Sequence, residues 1–243
     1  MNEAAVVHPF DALTPDMVLT ATESTGLICD GRMLALNSYE NRVYQVGVED
    51  ATPVIVKFYR PQRWSRDQIL EEHAFVASLQ DDDLSVVAPE IDESGRTLHD
   101  YSDFMFAIYP RRGGRGPELD HATLQKIGRS LGKLHSLGAS GKFKYRQSLT
   151  VEGFGKASRD YLLQNNFIPG ELRAAYETLS LDLLGKVEKI FSGNKRYRAI
   201  RLHGDCHPGN ILWRDDTAHF VDFDDCMTGP AVQDLWMLLS GPR

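Results

Sequence analysis

Two short segments, Leu202–Leu212 (LHGDCHPGNIL) and His219–Asp225 (HFVDFDD), hold the densest reactive chemistry of the chain. In the first, Asp205 sits in a loop containing glycine and proline, and an amide, Asn210, follows it. In the second, a β-branched and aromatic run leads to Asp222, closely followed by Asp224 and Asp225. A hard divalent cation wants oxygen donors, and Mg²⁺ usually takes one or two carboxylates together with phosphate oxygens and water. Asn210 and Asp222, on the two arms of a short hairpin, carry such donors. Asp205 is then left to accept a proton from an attacking hydroxyl. Taken one at a time, these residues are also ordinary turn and cap formers. A zinc site from His203, Asp205, Cys206 and His207 is a further alternative, but the four crowd one short segment and no distant Cys or His pair completes a tetrahedron. Cys206, beside Asp205, is either a thiol whose modification blocks the loop or a buried inert one.

These segments need elements to hold them. Thr14-Pro15-Asp16 reads as a helix start, and Gly26 stops that helix. Met33–Leu36, Val43–Val48 and Val54–Tyr59 read as three close-spaced strands of an antiparallel meander. Lys57 lies inside the third, where a lysine costs free energy unless it is paired. Ser65–Leu79 is an amphipathic helix with Ser65 as its cap and Ile69, Phe75, Val76 and Leu79 as its apolar stripe. Arg96–Asp100 and Phe104–Tyr109 are two more strand-like runs. The glycine-rich break Pro110–Pro117 marks a lobe boundary. Beyond it, Leu124–Leu137 and Glu171–Phe191 have helical spacing, with a short β insertion near Leu202–Asp222. The expected fold is α+β and bilobal: residues 1–110 form a small, mainly antiparallel β lobe with one key helix, and residues 111–243 a mainly helical lobe.

Composition excludes several classes. The chain has 243 residues, 42% apolar and 25% charged, with a net charge of −7. That is ordinary for a soluble globular protein. The acidic balance argues against a nucleic-acid binder that relies on neutralising phosphates. Met1–Phe10 has no basic region followed by an apolar core, and no run approaches a membrane span. Three cysteines, Cys29, Cys206 and Cys226, fit free thiols in a reducing compartment. A cytoplasmic monomer without nucleic-acid or membrane partners is expected.

The joint pattern resembles the kinase-like phosphotransferase superfamily. His203-Gly204-Asp205 with Asn210 is similar to the catalytic loop in the form found in aminoglycoside and choline kinase relatives; protein kinases of the usual type have arginine where Gly204 stands. Val221-Asp222-Phe223-Asp224 is similar to the metal-binding strand end, with Asp224 replacing the usual glycine. Asp234, in Gln233-Asp234-Leu235-Trp236, resembles the acid that braces the catalytic loop, although a helix N-cap is an equally good reading. The resemblance implies ATP and Mg²⁺ as cofactors, Lys57 as the phosphate-binding lysine and a helix glutamate as its partner. Glu72 is preferred over Glu71 from its spacing to Leu79. It further implies Asp205 and Asp222 as catalytic residues, Asn210 and Asp222 as metal ligands, and the backbone of Ala107–Arg111, Tyr109 included, as the edge for adenine. The loop Asn37–Tyr44 lacks GxGxxG, yet its backbone N–H groups and the Ser38 hydroxyl can cover phosphates.

More narrowly, Leu36–Gln45 (LNSYENRVYQ), Val56–Arg60 with Pro61 and Trp64, Gln68–His73 (QILEEH), Arg201–Arg214 and Gly229–Leu239 resemble the bacterial stress response kinase A family of serine/threonine protein kinases. Members of that family continue for several helices beyond the Asp-Leu-Trp segment, so a shortened helical lobe is expected here. The short span from Asp222 to Pro230 leaves no room for a long activation loop. Three functions stay open: a protein serine/threonine kinase, a kinase of a small alcohol of the aminoglycoside, choline or homoserine kind, and a nucleotide-binding module without catalysis.

Overall fold

The computed structural model describes residues 8–193 and 197–239. The first seven residues of the leader reading and the terminal Gly241-Pro242-Arg243 lie outside the described residues. The strands, in chain order, are β1 (Cys29–Leu36), β2 (Arg42–Val48), β3 (Val54–Phe58), β4 (His99–Tyr101), β5 (Phe104–Pro110), β6 (Ala199–Leu202), β7 (Ile211–Arg214), β8 (Thr217–Phe220) and β9 (Met227–Pro230). The helices are α1 (Pro15–Glu23), α2 (Arg66–Asp81), α3 (His121–Gly138), α4 (Ala157–Gln164), α5 (Gly170–Gly193) and α6 (Val232–Leu235). The chain divides into two compact units, residues 1–130 with 209–224, and residues 131–208 with 225–243.

The first unit is built on an antiparallel sheet of order β1-β2-β3-β5-β4. Strand alternation divides β3 and β5 between two faces. Val56, Phe58, Phe106 and Ile108 join Phe10, Leu13, Val18 and Ala21 in one core. Lys57, aligned with Ala107, and Tyr59 belong to the other face, where Tyr59 and Ala107 pack with Trp64, Ile69 and Leu98. Thr14 caps α1 by accepting the Met17 N–H at 3.2 Å. Ser65 and Gln68 form a reciprocal capping box on α2. The expected stripe of α2 is buried, and Glu72 and His73 are buried with it. The β7–β8 hairpin is tied to the segment after α2 by Phe220 N–H to Ser85 O at 2.9 Å and Val87 N–H to Phe220 O at 3.2 Å.

The second unit is mainly helical. It takes the last turns of α3, a π-type helical stretch Val151–Lys156, and α4 and α5, with β6 and β9 paired antiparallel. The fold is thus α+β, as expected, with several elements the sequence pattern does not announce. β1 begins at Cys29 rather than Met33, because a register shift between the two hides its first half among Asp30, Gly31 and Arg32. The π-type stretch, α4 and β9 were not expected. α5 carries the expected helical spacing, yet none of its side chains is fully buried, and Leu179, Leu181 and Ile190 are more than half exposed. Among the described residues no helix is long and apolar enough to cross a membrane.

Candidate active site

In the first unit the site is organised around one buried ammonium. Lys57 Nζ lies 2.9 Å from Asp222 Oδ1 and 3.0 Å from Asp224 Oδ1. Burial works against the charged lysine, but the carboxylates of Asp222, Asp224 and Glu72 outweigh it and raise the Lys57 pKa well above its ordinary value. Of the two glutamates weighed from the sequence, Glu72 is buried and Glu71 half-buried. Asp224 is buried too. Burial alone would raise its pKa, but Lys57, Trp64 and Asn41 bond to its carboxylate and hold it below the ordinary value. Phe223, between the two aspartates, packs edge-on against Phe75 of α2 at 6.1 Å.

Asn210 lies just before β7 and Asp222 just beyond the end of β8, and the open end of this hairpin is closed by Val221 N–H donating to Asn210 O at 3.0 Å. Asp222 has a left-handed backbone, φ 59°, a conformation uncommon outside glycine but one that aspartate adopts more readily than most residues. Its side chain is 53% exposed, so the carboxylate is open to a ligand. One carboxylate and one amide oxygen are hard donors suited to Mg²⁺ whose other positions are filled by phosphate and water. The residues present fit that ion. No group of three or more His, Cys, Asp or Glu side chains suited to a metal occurs among the described residues, which leaves the zinc alternative without support.

The second unit holds Asp205 by its backbone. The buried carboxylate of Asp234 accepts the His203 N–H at 3.0 Å and the Gly204 N–H at 2.8 Å, and stands 3.0 Å from His135 Nε2. Asp205 N–H points to His203 Nδ1 at 3.3 Å. Gly204 has φ 90°, and a Cβ there would meet the Asp225 carbonyl oxygen at 2.0 Å, so glycine is required on both counts. Asp234 therefore braces the loop and is not the cap of α6, whose N-cap is Ala231. Replacing Asp234 with Ala strips two buried N–H groups of their acceptor, at about 1–3 kcal/mol each. Thermal unfolding of Asp234→Ala is expected to fall by roughly 4–24 °C, at about 2–4 °C per kcal/mol for a chain of this size. An unchanged Tm would mean that the loop does not depend on this brace.

Cys206 next to Asp205 is fully buried, and burial first, then the charges of Asp234 and Asp205, push its thiol pKa far up. A thiol held protonated and out of solvent is a poor nucleophile. Maleimide treatment of the native protein followed by peptide mapping is expected to leave Cys206 unlabelled. Labelling there in the folded protein would reopen the idea of a blockable thiol.

The remaining expected residues are placed as follows. The Ser38 hydroxyl donates to Asn41 O at 3.0 Å within the β1–β2 loop. Tyr109, aligned with Ile55 of β3, has its hydroxyl 3.0 Å from that of Tyr59, which in turn is 2.8 Å from His73 Nε2. Burial, then the Glu72 charge, raise the Tyr109 pKa. The first unit thus brings together Lys57, Glu72, Asn210 and Asp222, with Ser38 on the loop that carries Asn41; Asp205 stands in the second unit. Sequence reasoning missed Asn41, Trp64, His73 and His135. Asn41 is buried and accepts the Arg60 N–H at 3.1 Å, and Trp64 Nε1–H donates to Asp224 Oδ2 at 3.2 Å. The one local signal was three acids within four residues at 222–225, too many for a simple turn.

Comparison with known proteins bears on this arrangement. The family described as "Phosphotransferase enzyme family" matches residues 33–243. Stress response kinase A of Escherichia coli (strain K12) is 42% identical over all of this chain, which spans 73% of that protein. Serine/threonine protein kinase RdoA of Salmonella typhimurium is 41% identical with the same coverage. Among solved structures, amicoumacin kinase hAmiN in complex with AMP-PNP, Ca²⁺ and Ami matches with a TM-score of 0.75 at 22% identity, over 92% of this chain and 68% of that one. The microcompartment-associated aminopropanol kinase matches with a TM-score of 0.67 at 21% identity, over 93% and 74%. Both likenesses are of fold.

Proposed function

Because the chain belongs to the phosphotransferase enzyme family, and within it to the stress response kinase A family of kinases, we propose that it moves the γ-phosphate of Mg-ATP to a serine or threonine hydroxyl of a protein. The observation that carries this reading is the buried Lys57 ammonium within 3.0 Å of Asp222 and Asp224, beside a buried Glu72. Such a cation, held by carboxylates on one segment and a glutamate on a helix, is suited to grip phosphate oxygens. Glu72 keeps it oriented. Asn210 and Asp222 would hold the metal, which would supply positive charge against the charge that develops on the phosphates. The loop carrying Ser38 covers the phosphates, and the backbone of Ala107–Arg111, at Tyr109, takes the adenine edge. Asp205 orients the acceptor hydroxyl and takes its proton on a carboxylate oxygen. The transition state is loose, so fixed positions and charges supply most of the rate. Cys29, Cys206 and Cys226, which form no disulfide, support a cytoplasmic setting.

A second reading, a kinase of a small alcohol, is favoured by one observation. β9 begins at Met227, five residues after Asp222, so no long segment follows the metal-binding strand to dock a polypeptide. The test is transfer of labelled γ-phosphate from Mg-ATP by the purified chain, with Asp205→Asn as the blank. Label is followed on protein and in small-molecule fractions. Asp205-dependent label on protein is the expected result. Label on a small alcohol alone would move the acceptor class, and silence in both with Mg-ATP still bound would leave a nucleotide-binding module.

A further inference from the structure

The two aspartates that hold Lys57 are not equivalent. The Asp224 side chain is 8% exposed, and its second oxygen is occupied by the Trp64 indole at 3.2 Å. Asn41 also bonds to it, while accepting the Arg60 N–H through its own amide oxygen. Asp224 is thus fixed from three sides, by β3, the turn before α2 and the β1–β2 loop. The Asp222 side chain is 53% exposed and turns on a left-handed residue. One carboxylate is built in and the other is free to leave.

We propose that Asp224 is a positioning residue, the standing counter-ion of Lys57 that releases Asp222 to the cation. The proposal rests on the phosphotransferase reading above, in which Asp222 must serve a metal. In the arrangement seen, Lys57 and a cation compete for the same Asp222 oxygen. If Asp222 were the sole aspartate at Lys57, metal binding would leave the buried ammonium with Glu72 alone and set two positive charges against each other. Asp224 removes that conflict: Lys57 stays neutralised and in place while Asp222 swings to the ion. A glycine at this position, as the kinase pattern usually has, cannot do this.

The test reads binding rather than turnover. A fluorescent ATP analogue is titrated onto the full chain and onto Asp224→Asn at a series of Mg²⁺ concentrations. In Asp224→Asn, Lys57 clings to Asp222, so the Mg²⁺ concentration that half-saturates analogue binding is expected to rise about tenfold or more, the equivalent of one pKa unit of differential interaction. An unchanged Mg²⁺ requirement in a folded Asp224→Asn would overturn the proposal and leave the function intact. No Mg²⁺-dependent binding by the parent chain would overturn both. Should Asp224→Asn not fold, Asp222→Asn serves instead. With Asp224 still holding Lys57, its metal-free affinity for the analogue is expected to match or exceed that of the parent, since a carboxylate facing the phosphates is gone. A tenfold loss there would show that Asp222, not Asp224, is what fixes the lysine.

Discussion

Asp205→Asn is expected to lower turnover roughly 10²–10⁴-fold, the range for losing a general base, while Mg-ATP affinity changes little. The amide has the shape of the carboxylate but cannot take a proton. The backbone bracing of the loop should survive: His203 and Gly204 donate to Asp234, and Asp205 N–H points to His203 Nδ1, while the Asp205 carboxylate, 3.6 Å from His207 Nε2, loses its charge. The residues proposed for the nucleotide, Lys57, Glu72, Asn210 and Asp222, belong to the other unit and keep their side chains in this variant. Steady-state rates paired with a separate binding titration check this. Full turnover in the variant would take Asp205 out of the reaction, and a parallel loss of affinity would make it a binding residue instead.

Lys57→Met is expected to cost both function and stability. The methionine keeps the stem of the side chain and deletes the charge, which leaves Asp224 and Glu72 buried without the cation that balances them. Breaking a buried pair from one side costs about 3–5 kcal/mol. At about 2–4 °C per kcal/mol, thermal unfolding should fall by roughly 6–20 °C. Nucleotide affinity should fall as well. Since Asp222 is half-exposed and finds water, the greater part of the loss is charged to the two buried carboxylates. A variant with the parent's Tm would mean that Lys57 contributes nothing net to the fold, and its burial would then have to be explained by function alone.

Much of the first unit was legible because its signals are local. Thr14 and Ser65 announce the helices they cap, and the alternation of Val54–Tyr59 singles out Lys57 as a charge on a strand. Asp205, Asn210 and Asp222 stood out by type and spacing, although their roles came only with the resemblance. What stayed hidden is long-range. Trp64 meets Asp224 across 160 positions, and His135 meets Asp234 across 99. No pattern within a window of residues encodes such partners. The second unit was harder for a different reason: helical spacing in α5 says which side chains share a face, but not whether anything covers that face. The π-type stretch Val151–Lys156 contains Gly153 and Gly155, residues that read as a break rather than a helix.

The separation of Lys57 from its aspartates also sets an order of events during synthesis. Lys57 Nζ bonds to an oxygen 165 positions further along the chain. When the sheet strands leave the ribosome, two of the three carboxylates that stabilise this lysine do not yet exist. A nascent sheet burying it early would bear an ammonium balanced by Glu72 alone, so it gains little by closing before the β7–β8 hairpin and the strand end at 222–224 arrive. Contacts of such sequence distance slow folding, since the intervening loop must be closed before they reward it. The same ammonium is therefore expected to act as a latch on maturation, delaying completion of the first unit until the segment at 222–224 is in hand.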